Sequence, residues 1–141
     1  MRKNIMAFAL ILLLVLGGCS SNSKGPTYSN PFTAKETSLR VMVANPGAYV
    51  GETEKIFVIG PLYVESNDLE RKALTVRPFT DTQEIDMDVE IEVFYGGLAD
   101  ASSFIKTTKD DVIYTQGYMR KYSMSTSYYF DADLIRYAKE K

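Results

Sequence analysis

The chain has 141 residues, with 16 Lys and Arg against 18 Asp and Glu, one cysteine, no histidine and no tryptophan. This length suits one domain, and the mild negative charge is unlike the basic surfaces of nucleic-acid binders. Zinc, copper and iron sites usually rely on His or Cys, and most catalytic constellations need a base such as His. The composition therefore argues against an enzyme and against a transition-metal cofactor.

The first 18 residues have the pattern of a secretory signal peptide. Arg2 and Lys3 precede an apolar run at residues 6–16, which is shorter than the about 20 residues that a membrane-spanning helix needs. Small residues and a cysteine follow at once. The stretch Leu16-Gly17-Gly18-Cys19 resembles the lipobox of bacterial lipoproteins, a family in which the chain is cut before the cysteine.

The lipobox resemblance implies that Cys19 carries a covalent lipid anchor. Two or three acyl chains such as palmitate hold a protein stably on a membrane, whereas one chain binds only marginally. Cys19 is the only cysteine, and exported proteins with structural cysteines usually have them in pairs. By resemblance to Gram-negative sorting rules, Ser20 directs the protein to the outer membrane, facing the periplasm. An ordinary signal peptide with an incidental cysteine is the alternative.

Residues 19–33 are rich in Ser, Asn, Gly and Pro, which predicts a flexible lipidated tether. Residues 34–141 remain for one domain. It begins with a predicted short helix at residues 35–45, in which Leu39, Met42 and Val43 share a face. Asn45 and Pro46 end that helix, because the residue before a proline avoids the helical conformation.

Five strand-like runs follow, at residues 56–64, 73–79, 85–95, 112–122 and 128–137, with a short helix at residues 98–105. The third run alternates strictly between apolar and acidic residues. The apolar residues predicted to face the core are Ile85, Met87, Val89, Ile91 and Val93. The acidic residues predicted to face solvent are Asp86, Asp88, Glu90 and Glu92. This order of elements predicts a mainly β domain, a five-stranded OB-like Greek-key barrel.

Two stretches strengthen that prediction by resemblance. Residues 45–51, Asn-Pro-Gly-Ala-Tyr-Val-Gly, and residues 56–60, Ile-Phe-Val-Ile-Gly, resemble the opening of small bacterial OB-fold lipoproteins of the tRNA-anticodon-like group. Residues 91–98, 112–117 and 130–132 are similar to the back half of the cytochrome c maturation haem chaperone. That family attaches haem through a histidine, which this chain lacks, and Tyr137 does not replace it. We therefore expect no haem.

The acidic side chains of the third run, Asp86, Asp88, Glu90 and Glu92, are weak candidates for a calcium site. Spaced by two along a strand, they form a row about 6.5–7 Å apart rather than a cage. We expect a solvated face instead, paired across the sheet with Lys72 and Arg77. Such a row repels phosphate, so we expect no nucleic-acid partner.

Two groups of side chains form the candidate binding face. The second strand run offers Thr75, Arg77 and Phe79, and the last hairpin offers Tyr118, Tyr122 and Tyr128. Tyrosine favours interfaces, although β-propensity and core filling also explain its enrichment. The sequence thus predicts a non-catalytic module that binds or scaffolds an envelope protein. The alternative is a periplasmic module for a small ligand, a glycan or a cation.

The lipid assignment makes a direct prediction. The variant Cys19→Ser lacks the only thiol of the chain, so metabolic labelling with palmitate should no longer mark the protein. The domain should stay folded, as judged by its thermal unfolding. Persistent labelling of Cys19→Ser would contradict the assignment.

Overall fold

A computed structural model describes residues 25–51 and 55–141. The predicted signal peptide, Cys19 and the start of the tether lie outside these residues. The strands are β1 (Tyr28–Ser29), β2 (Phe57–Asp68), β3 (Ala73–Pro78), β4 (Ile91–Phe94), β5 (Val112–Lys121), β6 (Tyr128–Tyr137) and β7 (Lys139–Glu140). Helix α1 spans Leu39–Ala44, and two 3₁₀ helices span Pro46–Ala48 and Ala101–Phe104.

Strands β2 to β6 form a closed barrel in the order β2-β3-β4-β6-β5, and β5 pairs back with β2. Neighbouring barrel strands are antiparallel, except β4 and β6, which run parallel. A five-stranded barrel with a helical connection between its third and fourth strands is OB-like. The predicted mainly β, OB-like fold class is therefore confirmed.

The core fills the inside of the barrel with apolar side chains from all five barrel strands. Helix α1 adds Leu39 and Met42, and the second 3₁₀ helix adds Phe104. Leu39 and Met42 lie three residues apart on one face of α1, as their spacing predicts. The fully buried members from the strands include Ile59, Leu62, Val64, Leu74, Val76, Val93, Ile113 and Phe130.

The strand predicted at residues 85–95 is wrong over its first half, since only Ile91–Phe94 forms a strand. Met87 is 65% exposed, whereas Asp86 is buried. Asp86 accepts hydrogen bonds from Arg40 of α1 and, at 3.1 Å, from the backbone N–H of Asp88. The Arg40 guanidinium holds the pKa of Asp86 below its usual range. A buried carboxylate needs such partners, so a contact with a residue far along the chain overrides the local alternation.

The segment before α1, residues 25–37, is called the N-terminal arm. Its strand β1 pairs with β7, the Tyr28 ring contacts Phe79 at 5.7 Å, and the N–H of Thr37 donates to the carbonyl of Val58 at 2.7 Å. The domain boundary predicted at residue 34 thus falls after the first paired strand. Tyr114 of β5 donates to the carbonyl of Tyr28, and its burial raises its pKa to about 12.

The close approach of β6 to Gly117 of β5 yields a stability prediction. The strand register shifts at Gly117, where an added Cβ would lie 2.1 Å from the carbonyl oxygen of Asp131. Gly117→Ala should lower the free energy of unfolding by about 2 kcal/mol or more, because the backbone of β6 would have to move. Gly97→Ala is the matched control: an added Cβ there meets no atom within 4 Å, and a change within about 0.5 kcal/mol is expected. Equal urea midpoints for the two variants would contradict this account.

Candidate functional site

A concave region, called the groove, lies on the barrel where the β2–β3 turn, β4 and the β5–β6 hairpin meet. It consists of two adjoining cavities of about 310 and 480 Å³ that share Arg71 and Tyr122. The smaller cavity is aromatic, and the larger one is polar. The remaining lining residues are Thr75, Glu90, Ile91, Glu92, Phe94, Ser125, Ser127, Tyr128 and Tyr129.

The groove exists because β4 and β6 pair over a very short length. Their parallel register joins only Val93 to Phe130 and Phe94 to Asp131. The preceding residues of both strands, among them Ile91 and Tyr128, line the larger cavity instead of pairing with each other. The sheet thus opens at this seam. OB-folds bind ligands on their second and third barrel strands and the adjoining loops. In this protein those strands are β3 and β4, so the groove lies in the same region.

Three side chains clamp the open seam. Arg71 donates to both carboxylate oxygens of Glu92, at 2.9 Å for one of them, and also donates to the Tyr122 hydroxyl at 3.1 Å. The Tyr122 hydroxyl in turn donates to Glu92. The Arg71 guanidinium, with help from Tyr122, keeps the pKa of Glu92 below its usual range. The clamp therefore ties the β2–β3 turn and the hairpin to β4.

Three aromatic rings form the wall of the smaller cavity. Tyr122 and Tyr129 lie 4.5 Å apart at a tilt of 35°, and Phe94 meets Tyr129 edge-on at 6.5 Å. Phe94 is 36% exposed, although its ring is large and apolar. Such contacts fix ring positions before any ligand arrives. The wall is therefore a preformed apolar surface beside the charged clamp.

A second ion-pair cluster borders the polar cavity. Arg77 of β3 donates to Glu65 and to Glu90, each at 2.6 Å, and to the carbonyl of Met87 at 2.8 Å. The Arg77 side chain is only 12% exposed, whereas that of Glu90 is 58% exposed. One guanidinium thus serves two carboxylates, so this cluster carries a net negative charge. The expected pairing of Arg77 with the acidic residues is confirmed, while Arg71, rather than the predicted Lys72, binds Glu92.

The structure brings three of the six predicted binding-face residues together. Thr75, Tyr122 and Tyr128 all line the larger cavity, and Arg77 lies beside it, bound to Glu90. Two residues lie elsewhere. Phe79 contacts Tyr28 of the N-terminal arm, and the ring of Tyr118 lies 5.1 Å below the Arg120 guanidinium, outside the groove.

Arg71 and Phe94 also line the groove, although they were not among the residues predicted from the sequence. Arg71 lies in the loop between the first two barrel strands, a region where OB-folds bind ligands, and this rule could have pointed to it. Phe94 carries no local signal, because β-propensity alone accounts for an aromatic residue on a strand. Tyr129 belongs to the tyrosine-rich last hairpin, which the sequence did indicate as an aromatic patch.

The four acidic residues at positions 86, 88, 90 and 92 do not act as one row, because they have different partners. Asp86 binds Arg40, Glu90 binds Arg77 and Glu92 binds Arg71, while Asp88 contributes its backbone N–H to Asp86. Within residues 25–51 and 55–141, no three Asp, Glu, His or Cys side chains gather closely enough to hold a metal ion. Three of these four carboxylates thus bind guanidinium groups.

Comparison with protein-family models and with curated proteins finds no match for this chain. The groove itself offers aromatic rings, hydroxyl groups and ion-paired carboxylates. Such groups suit recognition of another molecule by stacking, hydrogen bonding and charge.

The clamp generates a pH prediction. Tyr122→Phe removes a hydroxyl that donates to Glu92, so the pKa of Glu92 should rise towards its usual range in a carboxyl ¹³C NMR titration. A carboxylate with a lowered folded pKa stabilises the fold at neutral pH, and this contribution is lost as the pH falls through that pKa. The variant should therefore lose less stability on acidification than the parent protein. Tyr118→Phe, outside the groove, is the control that should leave Glu92 unaffected; equal titration of Glu92 in both variants would contradict the clamp.

Proposed function

We propose that this protein is a bacterial lipoprotein, anchored to the envelope through lipidated Cys19, whose non-catalytic OB-like domain binds an envelope protein through the groove. One observation carries the proposal: the groove gathers Arg71, Phe94, Tyr122 and Tyr129 on a single exposed face. Arg and Tyr are frequent among the hot-spot residues that contribute most of the binding energy of protein interfaces, and aromatic residues are enriched there.

Met124 favours a protein partner over a small molecule. It lies in the hairpin loop next to Ser125 of the groove, has a φ of 58° and is fully exposed. A solvated methionine gains little by itself, but its flexible thioether adapts well to an apolar protein surface. The rigid rings of the groove and the adaptable Met124 together resemble the mixture of anchors and adjustable contacts found in protein interfaces.

The membrane anchor is supported by the sequence, since Cys19 lies outside the described residues. Among the residues that the structure describes, no helix is long and apolar enough to cross a membrane. The lipobox-like stretch before Cys19 and the position of Ser20 support lipidation and placement in the outer membrane, facing the periplasm. In this proposal, the membrane and the envelope protein are the two partners.

A non-catalytic role is supported by the chemistry of the groove. The chain has no histidine, and the Glu92 carboxylate is occupied by hydrogen bonds from Arg71 and Tyr122. A general base needs an accessible acceptor near a nucleophile. We therefore propose neither a cofactor nor a haem group for this domain.

A glycan is the second candidate ligand. The larger cavity presents hydroxyl groups from Thr75, Ser125, Ser127 and Tyr128 beside Glu90, and OB-folds include oligosaccharide binders. A glycan would use the polar cavity and the ring wall, but it would not need Met124. Binding of a cation by the acidic residues is a weaker form of this alternative.

Site-specific crosslinking tests the protein-partner proposal. A photo-crosslinking amino acid at position 124 of the lipidated protein, irradiated in intact cells, should give a discrete adduct whose second protein is identified by mass spectrometry. Replacing Tyr129 by Ala in the same protein should reduce the adduct by about tenfold, since loss of an interface tyrosine often costs 1–2 kcal/mol.

Position 109 provides the control site, because Lys109 is exposed and does not line the groove. The crosslinker placed there should give no such adduct. If positions 109 and 124 yield the same products, or if position 124 yields none, the groove is not the site of a protein partner.

A further inference from the structure

We propose that the envelope partner inserts an extended, basic peptide segment into the groove, where it adds a strand at the open seam between β4 and β6. This inference rests on the proposed function and specifies the form and charge of the bound segment. The seam, the charge of the larger cavity and the ring wall each support one part of it.

The seam supplies the strand edges. Val93 and Phe94 pair with Phe130 and Asp131, but the parallel register stops there. Ile91 and Glu92 belong to strand β4, Tyr128 begins strand β6, and all three line the larger cavity. Unpaired strand edges are templates for another strand, and many peptides bind by adding a strand to such an edge. An extended segment therefore fits the place where the two strands part.

The charge of the larger cavity selects a basic segment. Arg71 neutralises Glu92, but Arg77 is shared between Glu65 and Glu90. Glu90 is the more exposed of these two carboxylates, and within the part of the chain that the structure describes it binds Arg77 through Oε2 alone. A Lys or Arg of the peptide can approach the other oxygen, where the local charge is negative. An acidic segment would instead meet carboxylate repulsion.

The ring wall gives the bound segment a second anchor. Side chains of an extended strand alternate between two faces, so every second residue of the peptide points in the same direction. One residue can meet Glu90 while another along the same segment rests against Phe94 and Tyr129. Specificity in strand addition comes from such pockets for alternate side chains.

Synthetic peptides test this mode directly. The probe is a fluorescent, acetylated octapeptide of alternating Thr and Lys, titrated against the full lipidated protein in lipid nanodiscs. It should bind, whereas the same peptide with Glu in place of Lys should not. A version with N-methyl groups on alternate residues should bind at least tenfold more weakly, because it cannot complete the backbone hydrogen bonds of an added strand.

Variants of the protein locate the charge effect. Glu90→Gln should weaken binding of the Thr-Lys peptide about threefold to fivefold, the size expected for an exposed ion pair. Glu84→Gln is the matched control, because Glu84 is also exposed but does not line the groove. Its affinity for the peptide should be unchanged, and added salt should weaken binding to the parent protein.

Failure of this inference is distinguishable from failure of the proposed function. No binding of the Thr-Lys peptide at 1 mM, equal binding of its N-methylated form, or equal affinity of Glu90→Gln and Glu84→Gln each overturns strand addition by a basic segment. If the adduct from position 124 persists in that case, a protein still binds the groove, but in another form.

Discussion

The short parallel pairing between β4 and β6 is the constraint on which this structure depends. It closes the barrel, yet it joins only two residue pairs. Closure leaves the other barrel strands no long free edge, which protects a β-protein from aggregation. The same shortness leaves the seam open beside Ile91 and Tyr128, so the groove is a direct consequence of how the barrel closes.

The clamp of Arg71, Glu92 and Tyr122 compensates for that short pairing. It bonds the β2–β3 turn and the hairpin to β4, while the rings of Phe94 and Tyr129 cross the seam from β4 to β6. The residues that stabilise the seam are thus also those that a ligand would meet. Such a surface is ordered in advance, which lowers the entropic cost of binding.

The outline of the fold was predictable because the residue types and spacing within each short segment indicate its secondary structure. Runs of apolar, β-branched and aromatic residues located the five barrel strands, and helical spacing placed Leu39 and Met42 in the core. The main error, at residues 85–90, arose from a contact that no local pattern reveals: Asp86 is buried because Arg40 binds it. The pairing of β1 with β7 likewise joins opposite ends of the domain.

The candidate site was predictable only in part, for the same reason. The tyrosine-rich hairpin and the second strand pointed to Tyr122, Tyr128 and Thr75, which the fold does bring together. Arg71 and Phe94 join them only through the barrel topology. Phe79 lies apart because the N-terminal arm covers it with Tyr28.

Hydrogen–deuterium exchange on the lipidated protein, compared between native envelope membranes and purified protein in detergent, tests the central claim that the groove is the binding surface. We predict slower amide exchange in the membranes at β4 and at residues 122–129 of the hairpin, with no change at α1. Identical exchange of β4 and the hairpin in both preparations, with or without protection elsewhere, would contradict the account.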